Sequence, residues 1–326
     1  MNRRLFSAAA IVVALAAPAA FAKNDAMSLI PNDAVTVGVV RLADARTSPL
    51  SSMLFQQTDK VTTDGDAEQF LKDAGLEPTK DVDVLVVSTA PRAALGHEAD
   101  ILVAAEGRFN IERLTAALIT RGAVKKNGYF LLPESDSKKD SGPTNGAVAF
   151  LDSHLAVVGS EGAVTEAIAS HAAGGTTFIT ASGLGRDLAR VDPKATAFAL
   201  VDVPRASRLT GGMNIGHSKQ GQAVNAALKG VSTVAIWATD AGDSLKLGAF
   251  GLATDEETLG LLEDTLRGAL AAMRLAISDK APDLVTVLRR FTVARTNDSV
   301  TVSGSLPAET IKTFAAKAKA HHSDAR

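Results

Sequence analysis

The chain has 326 residues, 46% of them hydrophobic but only 4% aromatic, and a formal net charge of −2. With no cysteine, it must hold itself together by burying an aliphatic, Ala-rich core, without disulfides. Its longest basic runs, Lys125-Lys126 and Lys138-Lys139, are too small to displace counterions from nucleic acid, and so few aromatic platforms weaken a sugar-binding reading.

The N-terminus reads as a secretory signal. Arg3 and Arg4 precede an apolar stretch, Leu5 to Ala20, and Ala20-Phe21-Ala22 is an A-x-A cleavage site. Residues 1–22 are therefore expected to be removed, and the mature chain to begin at Lys23 in the periplasm or outside the cell. No cysteine follows the apolar stretch to carry a lipid. Cleavage takes away two arginines, so the formal charge moves from −2 to −4. No later stretch has transmembrane length without charge.

Ten strands are expected from β-branched or aliphatic runs ended by Gly, Asp, Asn or Pro. They are Val35–Leu42, Val82–Thr89, Ile101–Glu106, Ala147–Leu151, Leu155–Gly159, Ala197–Val203, Ser232–Thr239, Leu245–Ala253, Phe291–Arg295 and Ser299–Ser303. Helices are expected over Asn110–Arg121, Gly162–His171, Asp255–Ile277 and Pro307–Ala320. The third repeats Leu259, Leu262, Leu266, Leu270, Met273 and Ile277 at three- and four-residue steps, which puts them on one face. Lys125–Asn145 and Gly211–Gly221 read as surface loops, and 321–326 as a disordered tail.

The elements occur twice in the same order. "DAVTVGVVRLADA" (33–45) parallels "KATAFALVDVPRA" (194–206), and "DVLVVSTA" (83–90) parallels "TVAIWATD" (233–240). "ILVAAEGRFNIERL" (101–114) parallels "LKLGAFGLATDEETL" (245–259), and "DSHLAVVGSEGAV" (152–164) parallels "NDSVTVSGSLPAE" (297–309). The offset drifts from 161 through 150 and 144 to 145, which implies insertions. Two tandem repeats, 23–172 and 192–320, are expected, joined by a linker over 173–191. Each reads strand, helix, strand, strand, helix, hairpin, helix. Turns such as Asp152–His154, Asp240–Asp243 and Thr296–Asp298 are too short for parallel crossovers. The expected class is α+β, with mostly antiparallel sheets and helices packed on one face.

"VVGSEGAVTEAI" (157–168) is the first place to look for chemistry, because a strand meets a Gly-Ser-Glu-Gly turn. A nucleophile elbow needs Gly-x-Ser-x-Gly, and here Ser160 follows Gly159 directly. A phosphate cradle needs four residues between its glycines and a Lys before Ser/Thr. The parallel turn, Gly304-Ser305-Leu306-Pro307, keeps Gly-Ser and loses the second glycine. Ser160 and Ser305 are therefore expected as helix N-caps, with Glu161 and Glu309 near the positive helix ends. Ser182 in "SGLGRDL" is expected as another cap, not part of a dinucleotide site.

His97, His154, His171 and His217 are scattered without metal spacing, and His321-His322 with Asp324 lies in the charged tail. Asp64/Asp66 and Glu256/Glu257 read as solvated or helix-capping carboxylates. No catalytic, cofactor-binding or metal residue is assigned, and no cofactor is expected.

"LIPNDAVTVGVVRLADARTSPL" (29–50), "EGRFNIERLTAAL" (106–118) and "FLDSHLAVVGSEGAVTEAI" (150–168) resemble exported bacterial proteins of unknown function with a Leu-Pro-x-Asp-like opening. The resemblance covers mainly the first repeat. It implies an exported α+β domain and supplies no activity.

The leading expectation is a soluble, non-enzymatic binding module of the cell envelope, working through a sheet face or the groove between like halves. The alternatives are an exported hydrolase or transferase with dispersed catalytic residues, and a carrier of an apolar ligand such as a lipid. A deep polar cleft, an apolar cavity or an open face would distinguish them.

Overall fold

The structure is a computed structural model that describes residues 26–48, 50, 65–92, 99–133, 146–210, 227–278 and 282–313. The expected signal, the 211–221 loop, most of the expected 125–145 loop and the 321–326 tail lie outside the described residues.

The first seven strands are β1 (Thr36–Arg41), β2 (Val82–Pro91), β3 (Ala99–Gly107), β4 (Val124–Lys125), β5 (Phe130–Leu131), β6 (Gly146–Phe150) and β7 (Leu155–Ser160). The others are β8 (Ala197–Asp202), β9 (Thr233–Asp240), β10 (Ser244–Leu252), β11 (Thr292–Arg295) and β12 (Ser299–Pro307). All ten expected strands form. They join one twelve-stranded sheet in the order β11-β12-β10-β9-β8-β1-β2-β3-β7-β6-β5-β4. Every neighbouring pair is antiparallel, because the connections are hairpins or return over a helix. The fold is α+β.

Two strands were not expected: β4 and β5 form at the start of the segment read as loop. Phe130 supplies the reason. It pairs with Val148 and is buried with Leu118, Ala123 and Val148.

The principal helices are α1 (Leu42–Thr47), α2 (Gly65–Ala74), α3 (Pro78–Asp81), α4 (Ile111–Thr120), α5 (Glu161–Ala172), α6 (Phe178–Ala181), α7 (Gly183–Asp187), α8 (Val203–Thr210), α9 (Glu256–Ile277) and α10 (Pro282–Leu288). A further helix spans 308–313. Asn110 caps α4 by accepting from Arg113 N, and Asp255 caps α9 by accepting from Thr258 N at 2.7 Å.

Strand alternation sorts side chains to two faces. On the inner face Val37, Val39, Val86, Leu102, Val157, Phe198, Leu200 and Phe250 form the main core with α5, α7 and the opening turn Ala26–Leu29. The stretch read as a linker belongs to that core. Phe178, Leu184, Leu188 and Val191 are buried in it. Asp187 and Asp192 accept hydrogen bonds from Thr233 and Thr239 at 2.7 and 2.9 Å.

The outer face carries helices too, contrary to the expectation that only one face is covered. α4 packs Leu114 and Ala117 on Val40, Ala105, Ala156 and Ala197. α9 packs Leu259 and Leu262 on Val234, Val293 and Val300.

Two cap expectations are corrected. Ser160 stands at the N-cap of α5 with extended backbone (φ −64°, ψ 147°), yet its hydroxyl makes no capping bond and is buried without a partner among the described residues. As the last residue of β7, it has its side-chain direction set by pairing opposite Gly146. Ser305 is not at a helix start: it lies inside β12, paired with Lys246, and the following helix begins only at 308. That helix carries Ile311 to the outer face, beside Ala238 and Leu245, whereas α5 packs on the inner face. Ser182 does cap α7, accepting from Gly185 N at 3.4 Å.

Candidate functional site

Gly38 of β1 lies opposite Ala199 of β8 at the centre of the sheet. Outward on one side, the next partners in register are Val87, Val103 and Val158. On the other they are Ile236, Ala249 and Val302. These eight residues form one straight row over eight adjacent strands on the outer face, and all are apolar. At about 4.8 Å per strand the row is about 34 Å long. Its middle is small, at Gly38 and Ala199, Ala249 is small nearer one end, and two larger members stand out: Val158 is 42% exposed and Ile236 47%. Each end of the row continues under cover, into Val148 and Phe130 on one side and Val293 on the other.

The helices explain why the middle is open. α4 covers the row behind it (Ala156, Ala105, Val40), and α9 covers the row ahead of it (Val234, Val300). An apolar furrow therefore runs between two helices that sit diagonally across the sheet.

The centre is braced by reciprocal contacts. Arg41 N donates to Thr196 O at 2.8 Å, and Asp202 N donates to Val35 O at 2.9 Å. The Arg41 guanidinium donates to Ala195 O, and Arg205 Nη1 donates to Ala34 O at 3.4 Å. Arg41 is only 5% exposed and lies over the Phe198 ring at 5.8 Å. Burial lowers its pKa, offset in part by the Asp44 charge, while burial raises that of Asp44.

At the start of β3, Arg92 pairs with Asp100 at 2.8 Å. Partial desolvation raises the carboxyl pKa of Glu166, whose side chain is otherwise exposed, and the Asp33 and Asp100 charges add to it. A shallow depression is lined by Arg108, Phe109, Asn110, Glu112, Ser153 and His154. Ser153 Oγ is 2.9 Å from His154 Nδ1, but the Asp152 carboxylate accepts from the His154 backbone N–H, so this is a bonded turn.

Of the other residues weighed from sequence, His171 ends α5, and Glu256 pairs with Arg295 at 3.1 Å. His97, His217, His321, His322, Asp64 and Asp324 lie outside the described residues. Among the described residues no group of His, Asp or Glu is placed to hold a metal, and no helix is long and apolar enough to cross a membrane.

No protein-family model and no curated protein matches the chain. Among solved structures, crystal form I of TP0453 is similar over 93% of this chain and 98% of its own, at 9% identity and a TM-score of 0.44. Crystal form III of TP0453 is similar over 93% and 99%, at 10% identity and a TM-score of 0.47.

Proposed function

We propose that this is an exported, soluble, non-enzymatic binding module of the cell envelope, and that the outer-face furrow is its binding surface. The observation that carries this reading is the row of eight apolar residues with Val158 and Ile236 standing exposed between α4 and α9. An apolar strip of that length on a water-facing sheet costs solubility unless something binds it. Bound carrier ligand is the second reading, favoured by the small residues along the floor of the furrow.

The chain reads as two diverged copies meeting at β1–β8. Support comes from the reciprocal contacts at the centre and from a strand order that runs alike outward from it. Counted along the ladder, the offsets are 161 from Gly38 to Ala199, 149 from Val87 to Ile236, 146 from Val103 to Ala249 and 144 from Val158 to Val302. The first equals the offset read from sequence; the others differ by one or two residues.

The test places a photocrosslinking residue at Ile236 in the exported protein, with Lys246 on the opposite face as control. Crosslinking of one envelope protein from Ile236 alone supports the module. A co-purifying apolar molecule in native mass spectrometry, displaced by Ile236→Asp, supports the carrier. Equal crosslinking at both positions with no bound molecule overturns both. Intact mass of protein recovered from the periplasm should begin at Lys23; full-length Met1 protein confined to the cytoplasm overturns the location.

A further inference from the structure

The helix α9 has 22 residues, about 33 Å of helix, yet its fully buried side chains, Leu259 and Leu262, both lie in its first two turns. The last turns leave the sheet. Met273 is 53% exposed and Leu275 is 77% exposed, and Ala271, Ala272 and Ala276 beside them are exposed as well. The periodicity that puts Met273 on the packed stripe is therefore overridden, because the sheet ends before the helix does.

Next to this tip lies the end of α10. Arg274 holds it there: its Nη2 donates to Leu288 O at 2.8 Å and to Phe291 O at 3.3 Å. Arg289 and Arg290 follow directly, both exposed, and neither is paired with an acidic side chain among the described residues. Residues 273–290 carry four basic side chains against two acidic ones, in a chain whose net charge is −2.

We propose that this tip docks on an anionic lipid surface. Leu275 and Met273 enter the boundary between headgroups and acyl chains, and Arg289 and Arg290 lie over lipid phosphates. Charge complementarity carries the choice: an apolar tip flanked by two exposed arginines with no acidic partner among the described residues, on an otherwise acidic protein, fits an interface that is apolar below and negative above. The binding is peripheral, and the furrow on the sheet stays free for its own ligand.

The test is flotation of the mature chain with vesicles of phosphatidylglycerol and phosphatidylcholine, against vesicles of phosphatidylcholine alone. The native protein should float with the anionic vesicles and lose that association at high salt. Arg289→Gln and Arg290→Gln should each lower partitioning by about fivefold, and Leu275→Asp should abolish it. All three positions are exposed, so thermal melts should match the native chain. The chain has no cysteine, so Ala276→Cys gives a unique site for an environment-sensitive dye, which should shift to the blue on anionic vesicles. Absence of flotation with anionic vesicles overturns the proposal, as does flotation unchanged by the three substitutions or a dye that stays water-like. Failure to float, combined with loss of a crosslinked envelope protein in Leu275→Asp, would assign the tip to a protein partner instead.

Discussion

Arg41 and Arg205 perform the same task from opposite sides of the sheet centre. Each guanidinium donates to the carbonyl two residues before the strand of the other half, at Ala195 and Ala34. Their acidic neighbours are inverted: Arg41 is followed by Asp44, whereas Arg205 follows Asp202, its salt-bridge partner at 3.9 Å.

The two arginines differ in burial, and so should their substitutions. Arg41 is nearly inaccessible and faces a partly buried Asp44. Arg41→Met should destabilise the fold by about 1–3 kcal/mol, because Ala195 O loses a buried donor and a partly buried carboxylate loses a nearby positive charge. Arg205→Met, at the more exposed pair, should cost about 1 kcal/mol or less. In urea melts, Arg41→Met combined with Asp44→Asn should recover part of the loss. Equal costs at the two arginines would contradict this account.

Ser88 is 1% exposed, sits between Val37 and Leu102 on the inner face, and its hydroxyl has no hydrogen-bond partner among the described residues. An unpaired buried hydroxyl is desolvated with nothing in return. Ser88→Ala should therefore be neutral or stabilising, by up to about 1 kcal/mol. A marked fall in the urea midpoint would mean that the hydroxyl is satisfied.

Ser160 and Asp255 contrast a cap by position with a cap by bonding. Asp255→Ala removes an acceptor for Thr258 N and should cost about 1 kcal/mol. Ser160→Ala removes a hydroxyl that caps nothing, and should leave stability within about 0.5 kcal/mol. Comparable losses in both variants would restore the sequence-based reading of Ser160.

Glu166 makes stability depend on pH. Its folded pKa is raised, first by partial desolvation of an otherwise exposed side chain and then by Asp33 and Asp100, while Arg92 pairs with Asp100 and Arg205 donates to the Asp33 carbonyl. A raised folded pKa means that the protonated form favours the fold. Its contribution is fully present below the unfolded value, about 4.3, and is lost as pH rises through the folded value. The stability of Glu166→Gln relative to the native chain should therefore rise, by a small amount for so exposed a residue, as the pH climbs above about 4.3. A difference independent of pH would rule out Glu166 as the titrating group.

The α+β class, all ten long strands and the hairpin turns were legible in the sequence, because each depends on local chemistry. Alternating Val, Ala and Leu in "VDVLVVSTAP" forces an extended half-buried strand whatever its neighbours are. Asn110 and Asp255 mark helix starts for a similarly local reason. β4 and β5 were missed because two-residue strands carry no periodic signal. Ser305 was misplaced because its turn resembles that of Ser160, while its strand runs on through Pro307.

The furrow was not legible. Val158, Val103, Val87, Gly38, Ala199, Ile236, Ala249 and Val302 lie on eight strands, and each is an ordinary strand residue in its own segment. What makes them a surface is register, and shifting one strand by one residue would turn its member to the other face. Beyond the first strand, the ladder offsets depart by one or two residues from the segment matches read in the sequence, which is enough to hide the row. By itself the sequence determined the ten longer strands, the long helices that follow Asn110 and Asp255, and an aliphatic core without disulfides. The tertiary structure decided which apolar residues remain in contact with water. That outcome depends on where α4 and α9 end over the sheet, a relation between segments far apart in the chain that no local pattern records.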